Sequence, residues 1–184
     1  MKLLLVRHAA AVPRGSPGIP DDERPLTKEG KAEFCVAARG LVRIVQRPDV
    51  LLTSPLPRAR VTAQIAARAF HLIEPTSEPA LARGSVDAII AALKAHPPGA
   101  TVALVGHEPV LGELLARLLG ASPDARLAFK KGGAALVDLP DGPSSAGWLI
   151  WFLEPRILRT LGRMRRSSAT PRANASATGS GTSG

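Results

Sequence analysis

The sequence contains few aromatic side chains and almost no cysteine. Aromatic residues make up 3% of the 184 residues and tyrosine is absent, so a core has to be built mainly from Leu, Val, Ile and Ala. The single cysteine, Cys35, excludes an internal disulfide, which is typical of proteins from a reducing compartment. Cys35 falls in a helix-like stretch, KAEFCVAARGLV, and we expect it there as a small core side chain.

Long hydrophobic runs are also missing. The apolar run near the start covers only Leu3 to Val6 before Arg7, whereas a signal peptide needs about 7–15 apolar residues. No segment approaches the roughly 18 apolar residues of a membrane span. We therefore expect a soluble, cytoplasmic protein that has no membrane partner.

Acidic residues are missing from the C-terminal segment, which explains most of the net charge of +9. From Arg156 onward there are six arginines and no Asp or Glu, whereas the preceding residues hold 18 basic and 15 acidic side chains. A nucleic-acid-binding face on the main part of the chain is therefore disfavoured. Residues 165–184 have no aliphatic side chain larger than alanine, so we expect one domain at 1–164 and a disordered tail at 165–184.

Apolar segments alternate with helical patterns along most of the chain. The patterns predict strands at 1–6, 49–54, 101–107, 132–139 and 147–154, a weaker strand at 71–75, and helices at 27–46, 55–70, 85–95 and 109–120. Thr27 and Ser85 are the expected N-caps of two of these helices. We predict an α/β fold, a three-layer sandwich whose mostly parallel sheet has helices on both faces. The turn-rich connection between the last two strands favours an antiparallel pair at one edge.

Histidine and arginine follow three of the predicted strands. Arg7 and His8 end the first strand, His107 ends the strand at 101–107, and Arg58 lies in TSPLPR after the strand at 49–54. Because ligands of open parallel sheets bind at the carboxyl ends of the strands, we expect these side chains to meet at one edge. Two guanidinium groups suit an oxyanion such as phosphate. A neighbouring imidazole can attack phosphorus, since nearby positive charge disfavours its protonated form.

Several other catalytic classes lack their motifs in this sequence. There is no G-x-S-x-G nucleophile elbow and no G-x-x-x-x-G-K-[ST] phosphate loop. Glu108 follows His107, but the sequence does not continue as H-E-x-x-H, so this pair is only a weak metal signal.

Four blocks of the chain resemble the histidine phosphatase superfamily, which has the phosphoglycerate mutase-like fold. LLLVRHA resembles its R-H-G signature, TSPLPRARVTA its S-P-x-x-R-A-x-x-T-A block, and LVGHEPVLGELLARL its G-H-containing block. DDERPLTKEG resembles the D-x-x-R-P-L-T-x-x-G segment of the SixA-type phosphohistidine phosphatase branch. The blocks span roughly residues 1–155 in the order that the family has them.

The resemblance implies a role for each matching residue. His8 would be the nucleophile that is transiently phosphorylated, and Arg7, Arg58 and His107 would hold the phosphoryl oxygens. Arg24, in ERPLT, would be a further substrate-binding residue of the pocket. No metal and no other cofactor is implied. The signature glycine is replaced by Ala9, a change that is frequent in the SixA-type branch.

The general acid is the role that the sequence defines least. Glu78 is the only carboxylate near the place where larger family members carry their acid, so it is the candidate. Asp21 and Asp22 are other candidates, although turn and capping roles are more common for such residues. A phosphohistidine leaving group is an imidazole with a free pKa of about 6.5, and it needs less protonation than an alkoxide. That argument, and the short stretch between Arg58 and His107, favour phosphohistidine on a protein as substrate.

Three alternatives stay open beside a metal-independent protein phosphohistidine phosphatase. The protein could act on small phosphate esters, such as a nucleotide or a sugar phosphate, which would require a working acid. It could bind phosphate without turnover, which would not need His8 as nucleophile. The segment RILRTLGRMRR could bind nucleic acid or another polyanion, but a terminal helix packed on the sheet with solvated arginines is the simpler interpretation.

Overall fold

The computed structural model describes residues 1–71, 74–122, 125 and 127–164. In chain order its elements are β1 (Lys2–Arg7), α1 (Lys28–Ile44), β2 (Val50–Thr53), α2 (Pro57–Phe70), β3 (Thr76–Ser77), α3 (Ala80–Arg83), α4 (Val86–Lys94), β4 (Thr101–Gly106), α5 (Val110–Leu118), β5 (Ala134–Asp138), β6 (Trp148–Leu153) and α6 (Pro155–Arg163). A single 3₁₀ turn at Asp21–Glu23 interrupts the long loop between β1 and α1.

The six strands form one mixed sheet in the order β3-β2-β4-β1-β5-β6. The first four are parallel, and β5 runs antiparallel to both β1 and β6. Strand β1 lies in the middle of the sheet, with Lys2 level with Thr101 of β4 on one side and Asp138 of β5 on the other. The predicted α/β fold, with a mostly parallel sheet and an antiparallel edge pair, is confirmed.

Alternate residues of the central strands feed two separate cores. Leu4 and Val6 pack on the face covered by α1, α2 and α6, whereas Leu3 and Leu5 pack on the face covered by α3, α4 and α5. Successive strand side chains point to opposite faces, so a strand buried on both faces reads as the continuous apolar run LLLV. This arrangement is the predicted three-layer sandwich.

Helices α1 and α4 begin at the capping residues that were predicted for them. Thr27 Oγ1 accepts a hydrogen bond from the backbone N–H of Gly30, and Ser85 Oγ accepts one from Ala88.

Cys35 is exposed, so its prediction as a core residue was wrong. It follows buried Phe34 by one residue, which is about 100° around an α-helix, and this turns it away from the core.

The last helix packs closely against α1, and its Leu158 joins the core on that face of the sheet. Gly40 of α1 and Gly162 of α6 allow the close approach, since a Cβ at Gly40 would collide with the carbonyl oxygen of Leu158 and one at Gly162 with that of Val36. Leu158 is fully buried, whereas Arg156 and Arg163 are exposed, as expected for a helix with solvated arginines.

Some predictions fall outside the described residues or were displaced. Leu72 and Ile73 of the weak strand at 71–75 are outside the described part, which has its short strand β3 just after, at Thr76–Ser77. The predicted tail at 165–184 is outside it as well, so its disorder stays a prediction. Among the described residues, no helix is long and apolar enough to cross a membrane.

Candidate active site

The carboxyl ends of β1, β2 and β4 meet at one edge of the sheet, as their parallel order requires. The backbone N–H of His8 donates to Gly106 O at 3.0 Å, which places the ends of β1 and β4 side by side. The rings of His8 and His107 lie 5.0 Å apart between centroids. Beside them is a cavity of about 290 Å³, which we call the cationic cavity; it is lined by Arg7, His8, Arg14, Arg24, Arg58, His107, Glu108 and Lys131.

Five of the six predicted site residues line the cationic cavity, and Glu78 does not. The Glu78 carboxylate accepts a hydrogen bond from the backbone N–H of Ala80 at 2.9 Å, at the start of the short helix α3. Its candidate role as general acid therefore gains no support from its contacts.

His8 is nearly buried and has a defined tautomer. Its Nδ1 lies 2.7 Å from the carbonyl oxygen of Ala9. A carbonyl oxygen only accepts hydrogen bonds, so Nδ1 carries the proton and Nε2 keeps its lone pair. Burial lowers the pKa of His8 to about 3, with smaller contributions from the charges of His107, Arg58 and Arg7. The sequence predicted a neutral imidazole because of the nearby arginines. In the structure, burial is the main reason that His8 is neutral, and the arginines contribute less.

The two strand-end arginines are held by backbone carbonyls. Arg7 Nη1 donates to Phe129 O at 2.5 Å, and Arg58 Nη1 donates to Asp21 O at 2.8 Å. Among the described residues, three buried side-chain nitrogens have no hydrogen-bond partner, and they are Arg7 Nε, Arg58 Nε and His107 Nδ1. All three belong to residues that line the cationic cavity. The two guanidinium N–H groups among them suit an oxyanion with several oxygen atoms.

Asp21 links three of the four arginines that line the cavity, a role that was not predicted from the sequence. Its Oδ1 accepts from Arg14 Nε at 2.8 Å and from Arg24 Nε at 2.9 Å, and Arg58 Nη2 lies 3.8 Å from Oδ2. The hydrogen bond from Arg14 is the largest of the effects that lower the pKa of Asp21 to about 2. Asp21 and Arg24 sit three residues apart across the 3₁₀ turn, a spacing visible in the sequence as D-x-x-R.

His107 is paired with a serine that the sequence also left unassigned. Ser54 is fully buried, and its Oγ lies 2.8 Å from Nε2 of His107. Burial lowers the pKa of His107 to about 4, and the charges of Arg58 and Arg7 act in the same direction. Ser54 follows β2 directly, as His107 follows the neighbouring β4, so adjacent strand ends bring the pair together.

Glu108 is the carboxylate that lines the cavity. Burial raises its pKa, and its Oε1 accepts a hydrogen bond from the backbone N–H of Phe129 at 3.2 Å. From the sequence, Glu108 was only a weak candidate for a metal ligand. In the part of the chain that the structure describes, no group of three or more His, Cys, Asp or Glu side chains could hold a metal ion.

Comparisons with known proteins agree with this geometry. The model of the histidine phosphatase superfamily (branch 1) matches residues 3–83. An uncharacterised protein of Picosynechococcus sp. is 37% identical over 136 residues, which cover 72% of this chain and 82% of that one. This chain belongs to the histidine phosphatase superfamily.

Solved structures place this superfamily member in the SixA-type branch. A protein histidine phosphatase SixA complexed with tungstate superposes with a TM-score of 0.74 at 28% identity, covering 86% of this chain and 99% of that chain. A putative phosphohistidine phosphatase SixA from Agrobacterium tumefaciens gives a TM-score of 0.69 at 28% identity, covering 84% and 97%.

The superfamily signature is built into the local structure despite its alanine. Ala9 is buried in the core cluster, and its backbone N–H donates to Thr62 Oγ1 at 3.1 Å. Thr62 Oγ1 in turn donates to the carbonyl oxygen of Arg58 at 2.7 Å. The R-H-A and S-P-x-x-R-A-x-x-T-A blocks are therefore connected by hydrogen bonds, which fixes the end of β1 against the first turns of α2.

Proposed function

We propose that this protein is a metal-independent phosphatase that removes the phosphoryl group from phosphohistidine on a protein, through a phosphorylated His8. The observation that carries the proposal is the unprotonated Nε2 of buried His8 beside three unpartnered nitrogens on Arg7, Arg58 and His107. In this proposal, two fixed guanidinium groups neutralise the phosphoryl charge, which is the main requirement of phosphoryl transfer.

The proposed reaction has two displacement steps. In the first, the Nε2 lone pair of His8 forms a bond to phosphorus while the P–N bond of the substrate breaks, and the electron pair leaves with the substrate imidazole, which takes up a proton. In the second, a water oxygen attacks phospho-His8, inorganic phosphate leaves, and His8 regains its lone pair as the water gives up a proton. Arg7, Arg58 and His107 hold the equatorial oxygens in both steps, and Arg24 borders the same cavity.

A phosphorylated side chain suits the open cavity. Its volume of about 290 Å³ lies at the lower end of the range for small-molecule sites. Neither α3 nor α4, the helices between α2 and β4, contributes a residue to the cavity lining. Two solved structures that are 28% identical carry phosphohistidine phosphatase or protein histidine phosphatase in their names. The proposed substrate is a cytoplasmic protein that carries phosphohistidine.

The test is phosphate release from a phosphohistidine-carrying protein and from an aryl phosphate, with a chelator present. Wild type should clear phosphohistidine, and His8→Ala should lose activity by several orders of magnitude. His96→Ala removes a histidine that does not line the cavity and should match wild type. Equal rates for wild type and His8→Ala on both substrates would end the nucleophile assignment.

Glu108 favours one alternative, a phosphatase for small phosphate esters. A carboxyl group with a raised pKa inside the cavity can protonate an alkoxide leaving group, which Glu78 is poorly placed to do. On this alternative, Glu108→Gln should cut turnover of alkyl phosphates by about tenfold or more and leave phosphohistidine turnover nearly unchanged. If Glu78→Gln is silent on every ester accepted, the version with Glu78 as acid fails.

A further inference from the structure

Ser54 lies against the imidazole ring of His107, which it contacts through its hydroxyl group. Its Oγ already accepts a hydrogen bond from the backbone N–H of Leu56 at 3.3 Å. The side chain is fully buried, so its own hydroxyl proton needs an acceptor inside the protein. His107 Nε2, 2.8 Å away, provides that acceptor if it carries a lone pair.

The opposite assignment leaves a buried hydroxyl unsatisfied. If Nε2 of His107 carried the proton, it would donate to Ser54 Oγ, which would then accept two hydrogen bonds. The Ser54 proton would have no acceptor among the contacts of the described residues. Leaving a buried polar group unpaired is unfavourable, so the donor direction runs from Ser54 to His107.

We propose that Ser54 is a positioning residue that holds neutral His107 in the Nδ1–H tautomer, so that His107 donates a hydrogen bond to the phosphoryl group. This inference rests on the proposed function. The Nδ1 atom is buried without a partner among the described residues, and His107 lines the cavity with its ring centroid 5.0 Å from that of His8. A neutral imidazole has one N–H, so the other tautomer would present a lone pair to the anion.

The tautomer matters because His107 is not a cation at neutral pH. Burial, together with the charges of Arg58, Arg7 and Arg24, lowers its pKa to about 4, while Asp21 opposes them. An imidazolium would donate from both nitrogens whatever Ser54 does. A neutral His107 donates toward phosphate only if the other nitrogen is engaged as an acceptor. Ser54 thus acts on the reaction through His107 and does not itself touch the reacting atoms.

The decisive experiment is two-bond ¹H–¹⁵N NMR of the imidazole rings in the full-length protein at pH 7. This spectrum separates protonated from unprotonated ring nitrogens, and the His107 signals are assigned by their loss in His107→Gln. Wild type should show Nδ1–H at His107, and Ser54→Ala should shift the ring toward Nε2–H. Thr53→Val is the matched control, because it removes a neighbouring buried hydroxyl that donates to Ser54 O and not to His107.

Binding of inorganic phosphate gives a second readout. Ser54→Ala should weaken phosphate binding, and lower kcat/KM, by about 10- to 100-fold, as expected for a lost hydrogen bond to a charged group. Thr53→Val should bind as wild type does. An Nε2–H signal in wild type overturns the proposal, even if Ser54→Ala does not fold, and so does an unchanged tautomer in Ser54→Ala. If the tautomers behave as expected but phosphohistidine is not hydrolysed, the proposed function fails and the role of Ser54 in phosphate binding stands.

Discussion

The residues of the cavity act as a connected set rather than as independent charges. Arg24 and Arg58 are both nearly buried, and like charges so close together need a counter-charge to stay in place. Asp21 supplies it through one carboxylate and its own backbone carbonyl. The acid that the sequence raised as a proton donor is thus, in the structure, the hydrogen-bond acceptor that orients the arginines.

Replacing Asp21 by asparagine distinguishes the effect of Asp21 on the orientation of the arginines from its effect on the charge of the cavity. The change makes the cavity more positive, so affinity for inorganic phosphate should hold or increase, while kcat should fall about tenfold because the guanidinium groups lose their fixed geometry. Asp22→Asn is the control, since Asp22 pairs with exposed Arg83 instead. Phosphate-release kinetics and phosphate titration give the two numbers. An unchanged kcat in Asp21→Asn would show that Asp21 does not orient the arginines.

The low pKa of His8 predicts how stability depends on pH. In the unfolded chain this histidine titrates near 6.5, and in the folded protein at about 3, so the unfolded state binds more protons between these values. Stability therefore falls as pH falls through this window, and His8 alone should account for about 2 kcal/mol between pH 7 and pH 5. Urea unfolding at the two pH values measures it. His8→Gln should show a correspondingly smaller loss, and an equal loss in both proteins would contradict the assignment.

At the scale of elements, the α1–α6 contact depends on two glycines. Alanine is intrinsically better than glycine in a helix by about 1 kcal/mol, but a Cβ at Gly40 would collide with the Leu158 carbonyl group. We expect Gly40→Ala to lower the free energy of unfolding by about 1–3 kcal/mol, because the helices must separate. Gly99→Ala, where a Cβ meets no atom within 4 Å, should change it by less than about 0.5 kcal/mol. Similar midpoints in urea for both variants would argue against close packing of α6.

The elements that were predicted correctly are long enough to show a regular hydrophobic pattern, or they begin at a recognisable capping residue. Helix α1, with Thr27 at its start, and strand β4 were both predicted to within a few residues. Strand β3 has two residues and helix α3 has four, which is too short for any hydrophobic period to show. Whether Cys35 is exposed depends on its angular position around the helix. The prediction of a helix there does not by itself fix whether Cys35 faces the core.

The site residues that directly follow strands could be predicted from the sequence, whereas those that lie in loops could not. Arg7, His8 and His107 follow from the rule that parallel strands end at one edge. Lys131 reaches the cavity from a loop in which Gly132 N–H donates to the carbonyl oxygens of Arg7 and His8. Gly132 has a φ of 78°, which favours glycine, but the sequence does not say where such a turn leads.

For the whole molecule, the cavity residues all lie between Arg7 and Lys131, far in sequence from the basic C-terminal segment. We therefore expect the protein truncated after Met164 to keep its kcat/KM within about twofold. If RILRTLGRMRR binds a polyanion such as heparin, that binding should weaken steeply with salt, and a second truncation after Glu154, which removes the whole segment, should abolish it. Fluorescence titration and phosphate release measure the two properties. A large loss of kcat/KM on truncation would assign residues 165–184 a part in the reaction.

The central position of β1 has a consequence for how the protein is made. His8, the proposed nucleophile, follows β1 directly, and this strand pairs with β4 and β5, whose partner residues for Lys2 lie at Thr101 and Asp138. Pairing over such sequence separations has a large loop-closure entropy and slows folding. A nascent chain that has not yet exposed β5 thus lacks one neighbour of β1. We therefore expect the β1 end of the cavity to form only after β4 and β5 have been synthesised, although it precedes the rest of the site in the chain.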